Sequence, residues 1–215
     1  MKRRIYWLMS IVVIMFALTP HAFADTLLLT DFEDSSMEIG MYKGPESSIT
    51  VSYVTDIVHE GQQAVLVKND TKDWTGAVYN IPGNKADWTG MSTFSMWVYG
   101  QNSGESFHVI LEDAGLEQLW YPVTNNWEGW QQLNMPLEDF QSRTDWQSDQ
   151  ATVNQVIDYP LKTIHFCAAS AGTFNMYFDL FEVSGEGEPA ASQPASSKQE
   201  ITGPSLRELA DQQNL

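Results

Sequence analysis

Residues 92–123 read STFSMWVYGQNSGESFHVILEDAGLEQLWYPV. In the first run Phe94, Met96 and Val98 alternate with Ser95, Trp97 and Tyr99, a period of two that puts one set on each face of a strand. Two more runs, SFHVILED at 106–113 and LEQLWYPV at 116–123, follow after turn residues. Upstream lie TLLLTDF at 26–32, SITVSYV at 48–54, QAVLVKN at 63–69 and GAVYNIP at 76–82. Downstream come WQQLNMP at 130–136, KTIHFCAAS at 162–170 and FNMYFDLFEV at 174–183. No segment between them sustains a helical stripe, although Leu137 to Phe140 suits a single turn. About ten short strands at this spacing predict an all-β fold, an antiparallel β-sandwich of the jelly-roll, galactose-binding-like kind. Roughly 160 residues suffice to enclose a core between two sheets.

The flanks differ in character. Residues 1–24 read as a secretory signal: Lys2, Arg3 and Arg4, an apolar run from Ile5 to Leu18, and the small-x-small site Ala22-Phe23-Ala24 before Asp25. That apolar run is short for a membrane span, so a secreted or periplasmic location is expected. The folded domain is expected over 25–184. Residues 185–203 are small, polar and proline-containing, a linker composition that cannot bury enough surface to fold. Residues 204–215 begin with a helix-start signal, Pro204 and Ser205, and then stop.

The chain carries a formal net charge of −17, and −20 once the three positive charges of the signal are removed. Such a surface repels nucleic acid and anionic membranes, and a soluble monomer is expected. Cys167 is the sole cysteine, so no intrachain disulfide can form; in TIHFCAA it reads as a small buried residue rather than a nucleophile. The four histidines lack metal-ligand spacing, which argues against zinc chemistry. No Gly-x-Ser-x-Gly elbow, His-Glu-x-x-His motif or phosphate loop occurs. Glu112, Asp113 and Glu117 come closest to a glycosidase carboxylate pattern, but at the wrong spacing, so no catalytic residue is assigned.

Binding chemistry is better represented. Four tryptophans, at 120, 127, 130 and 146, fall within LWYPVTNNWEGWQQLNMPLEDFQSRTDW at 119–146, among amides and carboxylates. Sugars present apolar C–H faces and hydroxyl rims, so their sites pair flat aromatic rings with Asp, Asn, Gln and Arg. In QSRTDWQ, 141–147, Trp146 can stack, Arg143 can donate a planar fork and Asp145 can accept from paired hydroxyls. The competing reading places Trp146 on the core and makes Arg143 and Asp145 a surface ion pair of little worth.

The run of DFED (31–34), WTGAVYNIP (74–82), ADWTGMSTFSMWV (86–98), the block 119–147, LKTIHF (161–166) and YFDLFEV (177–183) resembles, in order, the family 11 carbohydrate-binding modules. The resemblance implies a β-jelly roll attached to secreted polysaccharide-degrading enzymes, a cleft across one sheet that takes β-1,4 and mixed β-1,3-1,4 glucans, and calcium that stabilises the fold. It matches Arg143, Asp145 and Trp146 to a cleft motif, with tryptophan where tyrosine is usual, and Tyr42 to a cleft tyrosine. It also implies a tyrosine where Ala168 stands, an acid where Lys162 stands and an aromatic where Asp73 stands, departures that bear on glucan specificity. Trp74, Trp88, Trp120, Trp127 and Trp130 then read as structural.

By the same resemblance the first and last strands are neighbours, so Asp31, Glu33 and Asp179 are expected to share a calcium ion, with Glu60 and loop carbonyls close by. SLRELADQ at 205–212 resembles the opening of family 10 glycoside hydrolases, mostly xylanases. The expectation is a secreted, non-catalytic polysaccharide-binding module for plant-type β-glycans, β-glucan or xylan. The alternatives are the N-terminal piece of a glycoside hydrolase such as a xylanase, and a structural or adhesive sandwich without a sugar site.

Overall fold

A computed structural model describes residues 25–34 and 39–185. The segments read above as a signal, 1–24, a linker, 185–203, and a xylanase-like opening, 204–215, lie outside the described residues except for Gly185. Among those described, twelve strands are present: β1 (Thr26–Thr30), β2 (Gly40–Lys43), β3 (Ser48–Val54), β4 (Ala64–Thr71), β5 (Thr75–Asn80), β6 (Met91–Gln101), β7 (Ser106–Glu112), β8 (Gln118–Thr124), β9 (Glu128–Pro136), β10 (Gln141–Ser142), β11 (Thr163–Ala168) and β12 (Gly172–Gly185). Every run anticipated from periodicity forms a strand, and Leu137–Asp139 forms the one anticipated turn, of 3₁₀ type. The short strands β2 and β10 are additional; four and two residues show too few alternations to be read from pattern.

All pairings are antiparallel. One sheet runs β3-β4-β12-β6-β9, with β1 also beside β12; the other runs β10-β8-β7-β11-β5-β2. This is the expected two-sheet jelly-roll sandwich. None of the described helices is long and apolar enough to cross a membrane.

The core lies between the sheets. Phe94, Met96 and Val98 of β6 are buried there, as their alternation requires. From β12 come Phe174, Met176 and Phe178, then Phe181 and Val183, a switch from even to odd numbers. A register shift between Asp179 and Phe181, with Leu180 at φ 45°, is the bulge that makes the switch. Phe181 meets Phe32 edge-on at 4.7 Å, and Trp88 stacks on Phe94 at 5.7 Å. Each such ring contributes about 1.5–3 kcal/mol by leaving water.

The second sheet presents Ala77, Tyr79, Phe107, Val109, Leu111, Leu119, Ile164 and Phe166 to this core. Period two turns their neighbours, Gly76, His108, Ile110, Glu112, Gln118, Trp120, His165 and Cys167, to the opposite face. That outer face is the floor of the candidate site.

Candidate functional site

A cleft of about 820 Å³ lies across the outer face of the second sheet. Its floor follows the strand register. Cys167 of β11 sits between Gly76 of β5 and His108 of β7, and Glu112 of β7 sits between Thr163 of β11 and Gln118 of β8. Tyr42, Arg143, Asp145 and Trp146 all line this one cleft, so the structure brings together the four residues singled out as ligand-binding.

Tyr42 is opposite Gly76 in register, and its ring atoms occupy the space a Cβ at Gly76 would take. Its hydroxyl therefore reaches over the strand to Cys167 Sγ at 2.5 Å and His165 Nδ1 at 3.3 Å. His165 Nε2 is 2.7 Å from the Thr163 hydroxyl. Burial, followed by the charge of Arg143, pushes the His165 imidazole down to about 4. It is neutral at pH 7, so its 3.9 Å approach to Glu112 is not an ion pair. Burial pushes the Cys167 thiol up to about 11 and also raises the Tyr42 phenol. Cys167 is thus buried and un-ionised, as anticipated. It faces the cleft floor, because the apolar run TIHFCAA has one face in the core and one beneath Tyr42.

The strand-free segment from Arg143 to Pro160 supplies the opposite wall through Arg143, Asp145 and Trp146. Two buried carboxylates hold it. Glu117 accepts from the backbone amide of Asn154 at 2.7 Å, from that of Gln155, and from the Ser142 hydroxyl. Asp113 accepts from the amide of Asp158 at 3.1 Å and from that of Glu117 at 2.9 Å. Asp113 and Glu117 therefore anchor residues 154–158 of the segment that follows the cleft-lining residues, and unmade bonds of this kind leave buried groups that cost about 1–3 kcal/mol each. Gln147 completes the anchoring: its Nε2 donates to the carbonyls of Gln118 at 2.8 Å and Arg143 at 3.0 Å, and its Oε1 accepts from the amide of Gln118 at 2.9 Å.

On this wall Arg143 forms a fork with Asp145, Nε to Oδ1 at 2.6 Å and Nη2 to Oδ2 at 3.0 Å, and donates from Nη1 to Gln118 Oε1 at 2.9 Å. The guanidinium holds the Asp145 carboxyl below the usual carboxylate range. Its Cζ lies 5.7 Å from the centre of the Trp146 ring, which is 52% exposed. Trp146 is a cleft ring and does not pack in the core. Gln118 continues the polar line to Glu112 at 3.1 Å.

Trp74 corrects the reading made from sequence. Expected to be structural, it is 51% exposed, lines the cleft, and lies 5.9 Å from Tyr42, ring centre to ring centre. Its signal was available in the flanking polar turn residues of KDWTG, which are unsuited to a core. Trp88 is fully buried, and Trp127 packs on the core with Nε1 donating to the Val98 carbonyl at 3.3 Å, both as expected. Trp120 stacks on His108 at 4.5 Å on the cleft-side face, and Trp130 meets Tyr99 on the outside of the other sheet. Those two rings cover sheet faces and are not in the core. At the departures, Ala168 lines the cleft with a small wall, Asp73 lines it while bonded to Ser47, and Lys162 is exposed and outside it.

The expected calcium set is divided. Asp179 is fully buried, and its Oδ2 accepts from the amides of His59 at 3.0 Å and Glu60 at 3.1 Å; desolvation raises its pKa. Glu33 Oε1 accepts from the amides of Gln62 at 2.9 Å and Gln63 at 3.2 Å. Asp31 is exposed and its Oδ1 accepts from the amide of Glu33. Among the described residues no three His, Cys, Asp or Glu side chains are grouped to hold a metal. Glu33 and Asp179 each accept from backbone amides of one segment, 59–63.

The chain matches the model of a carbohydrate-binding domain, family 11, over residues 16–186. Among solved structures it is similar to the family 11 module of Clostridium thermocellum in complex with a β-1,3-1,4-mixed-linked tetrasaccharide, at 20% identity, TM-score 0.68, covering 78% of this chain and 99% of that one. The family 11 module of the cellulosomal cellulase Lic26A-Cel5E from the same organism is similar at 21% identity and TM-score 0.66, covering 77% and 97%. A family 30 module of the cellulase Cel9D-Cel44B from that organism shares the fold at 14% identity and TM-score 0.54, covering 75% and 98%. No curated protein sequence matches the chain. The chain belongs to the family 11 carbohydrate-binding domains, which are non-catalytic binding modules.

Proposed function

We propose that the cleft binds a neutral, plant-type β-glycan, with β-glucan chains ahead of xylan. The observation that carries this reading is the exposed Trp146 ring set beside the Arg143–Asp145 fork in the same cleft as Tyr42. The ring suits the C–H face of a pyranose and the fork suits paired hydroxyls on its rim. The tetrasaccharide in the similar Clostridium thermocellum module supports β-glucan as the first ligand to try. The test is affinity electrophoresis of the full chain through gels containing mixed-linkage β-glucan, hydroxyethyl cellulose, xyloglucan or xylan. Retardation by a β-glucan is the expected result, and unchanged mobility in every gel overturns the reading.

The accompanying expectations are part of the same proposal. The basic and apolar N-terminus supports export, and the linker composition after the domain supports attachment to a polysaccharide-degrading enzyme such as a xylanase. For calcium, Asp31, Glu33 and Asp179 remain the candidate ligands, carboxylates of the oxygen-donor kind that ion takes. The support is that Asp179 is a fully buried carboxylate whose bonding partners are backbone amides, which leaves its negative charge to be balanced. A melting temperature that falls on exhaustive chelation and returns with calcium is the expected outcome. An unchanged melt removes the ion from the account.

A further inference from the structure

We infer that a notch on the edge of the sandwich, between β8 and β9, is a second and smaller site that takes one or two neutral sugar rings. The notch has a volume of about 280 Å³ and shares no lining residue with the cleft, so it does not depend on what the cleft binds. Topology makes it. β8 belongs to one sheet, β9 to the other, and β10 returns to the first. The chain therefore crosses the gap between the sheets twice, through 125–127 and through 137–140, and closes the notch at both ends. β9 is the last strand of its sheet, and β10 pairs with β8 only at Leu119 and Trp120. Past those residues neither strand has a neighbour on this side, and alternate residues of each turn backbone N–H and C=O groups outward.

The back of the notch is apolar and fixed. Half-buried Tyr121 and Leu133 line it and pack on the core, and the Tyr121 ring meets Phe140 at 5.5 Å. Trp127 plugs the corner: its ring lies over Gly100, its indole N–H donates to the Val98 carbonyl at 3.3 Å, and its own carbonyl accepts from the amide of Asn102 at 2.7 Å. Rings held in this way lose little freedom on binding. Gln131, opposite Val98 in register, shares the inner face of β9 with Leu133. The side-chain amides of Gln131 and Asn126 are exposed and make no hydrogen bond to another described residue. None of the eleven lining residues is charged, on a chain of formal net charge −17. That argues against an ion, a phosphate or a charged peptide, whereas flat rings beside free amides suit a neutral polyhydroxy ring. The closed ends favour a compact ligand over an added peptide strand, which has to enter and leave. The volume lies at the small end of the roughly 300–1,000 Å³ usual for ligand pockets.

The test is an NMR titration of the full chain with methyl β-glucopyranoside, methyl β-xylopyranoside and cellobiose, with glycerol as the control. The side-chain amide signals of Gln131 and Asn126 and the indole N–H signal of Trp127 should shift saturably with at least one sugar, at a Kd on the order of millimolar. The same shifts should appear in Trp146→Ala, whose cleft platform is gone. Gln131→Ala should weaken the binding roughly three- to ten-fold, the effect of one hydrogen bond, and the wild-type titration stands whether or not that variant folds. Signals that stay unmoved with every sugar, that move as far with glycerol, or that move only in the chain with an intact cleft overturn the site. Shifts that follow protein concentration rather than sugar make the notch a contact between copies and overturn it likewise. None of these outcomes bears on the glycan reading of the cleft, which gel retardation by polymers decides.

Discussion

The Tyr42 ring occupies the space a side chain at Gly76 would fill, and only so does its hydroxyl reach Cys167 at 2.5 Å. The missing side chain on β5 thus sets the position of an aromatic on β2. Gly76→Ala should lift Tyr42 off the floor and weaken glycan binding several-fold. The stability loss should stay within about 1–3 kcal/mol, the usual cost of overpacking. Calorimetry and urea melts of the variant check this, and unchanged affinity would show that the position of Tyr42 does not matter to the ligand.

Trp146 and Trp127 should respond oppositely to truncation. Trp146→Ala removes an exposed platform, so binding should fall by about 1–3 kcal/mol, roughly five- to 150-fold, with the melt unchanged. Trp127→Ala removes a ring packed on the core over Gly100 and should cost about 2–3 kcal/mol of stability, a fall of roughly 5–10 °C in Tm. The reverse pattern would mean that the two rings have been assigned each other's roles.

His165 ties stability to pH. Its imidazole titrates at about 4 in the folded chain against an ordinary 6.5, so below 6.5 the unfolded chain takes up a proton that the folded chain refuses. Its contribution is therefore complete above about pH 6.5 and is lost as pH falls toward 4, amounting to about 3 kcal/mol. Urea midpoints measured between pH 7 and 4 should drop more in wild type than in His165→Asn. Parallel profiles for the two proteins would assign the acid sensitivity elsewhere.

Charge in the cleft should select against uronic acids. Asp73, Glu112 and Asp145 line it against the single guanidinium of Arg143, which Asp145 already engages, and His165 is neutral. Carboxymethyl cellulose should bind roughly five-fold more weakly than hydroxyethyl cellulose at low salt, and added salt should narrow the gap. Glu112→Gln should narrow it too. Equal binding of both polymers at low salt would contradict this.

The sandwich itself was legible in the sequence because alternation in a strand is a local property. Phe94, Met96 and Val98 identify their own inner face without knowledge of any partner strand. The triplet Arg143, Asp145 and Trp146 was legible by its sugar-binding chemistry and by the family resemblance, but that all three side chains face one cleft was decided by the fold. Fold class and the candidate triplet followed from the chain alone.

Contacts between distant segments decided the rest. Periodicity cannot anticipate that β12 changes parity at Leu180, since the bulge answers to β6 and β1 on either side. Nor can it tell an inner face from a cleft floor when both are buried, as with Phe166 beside Cys167. Asp113 and Glu117 resemble chemistry in sequence, and tertiary structure makes them anchors because the amides they bind lie some 40 residues away. Trp74 sits in the turn between β4 and β5, and only the strand order carries it to the cleft that Trp146 lines from the other side.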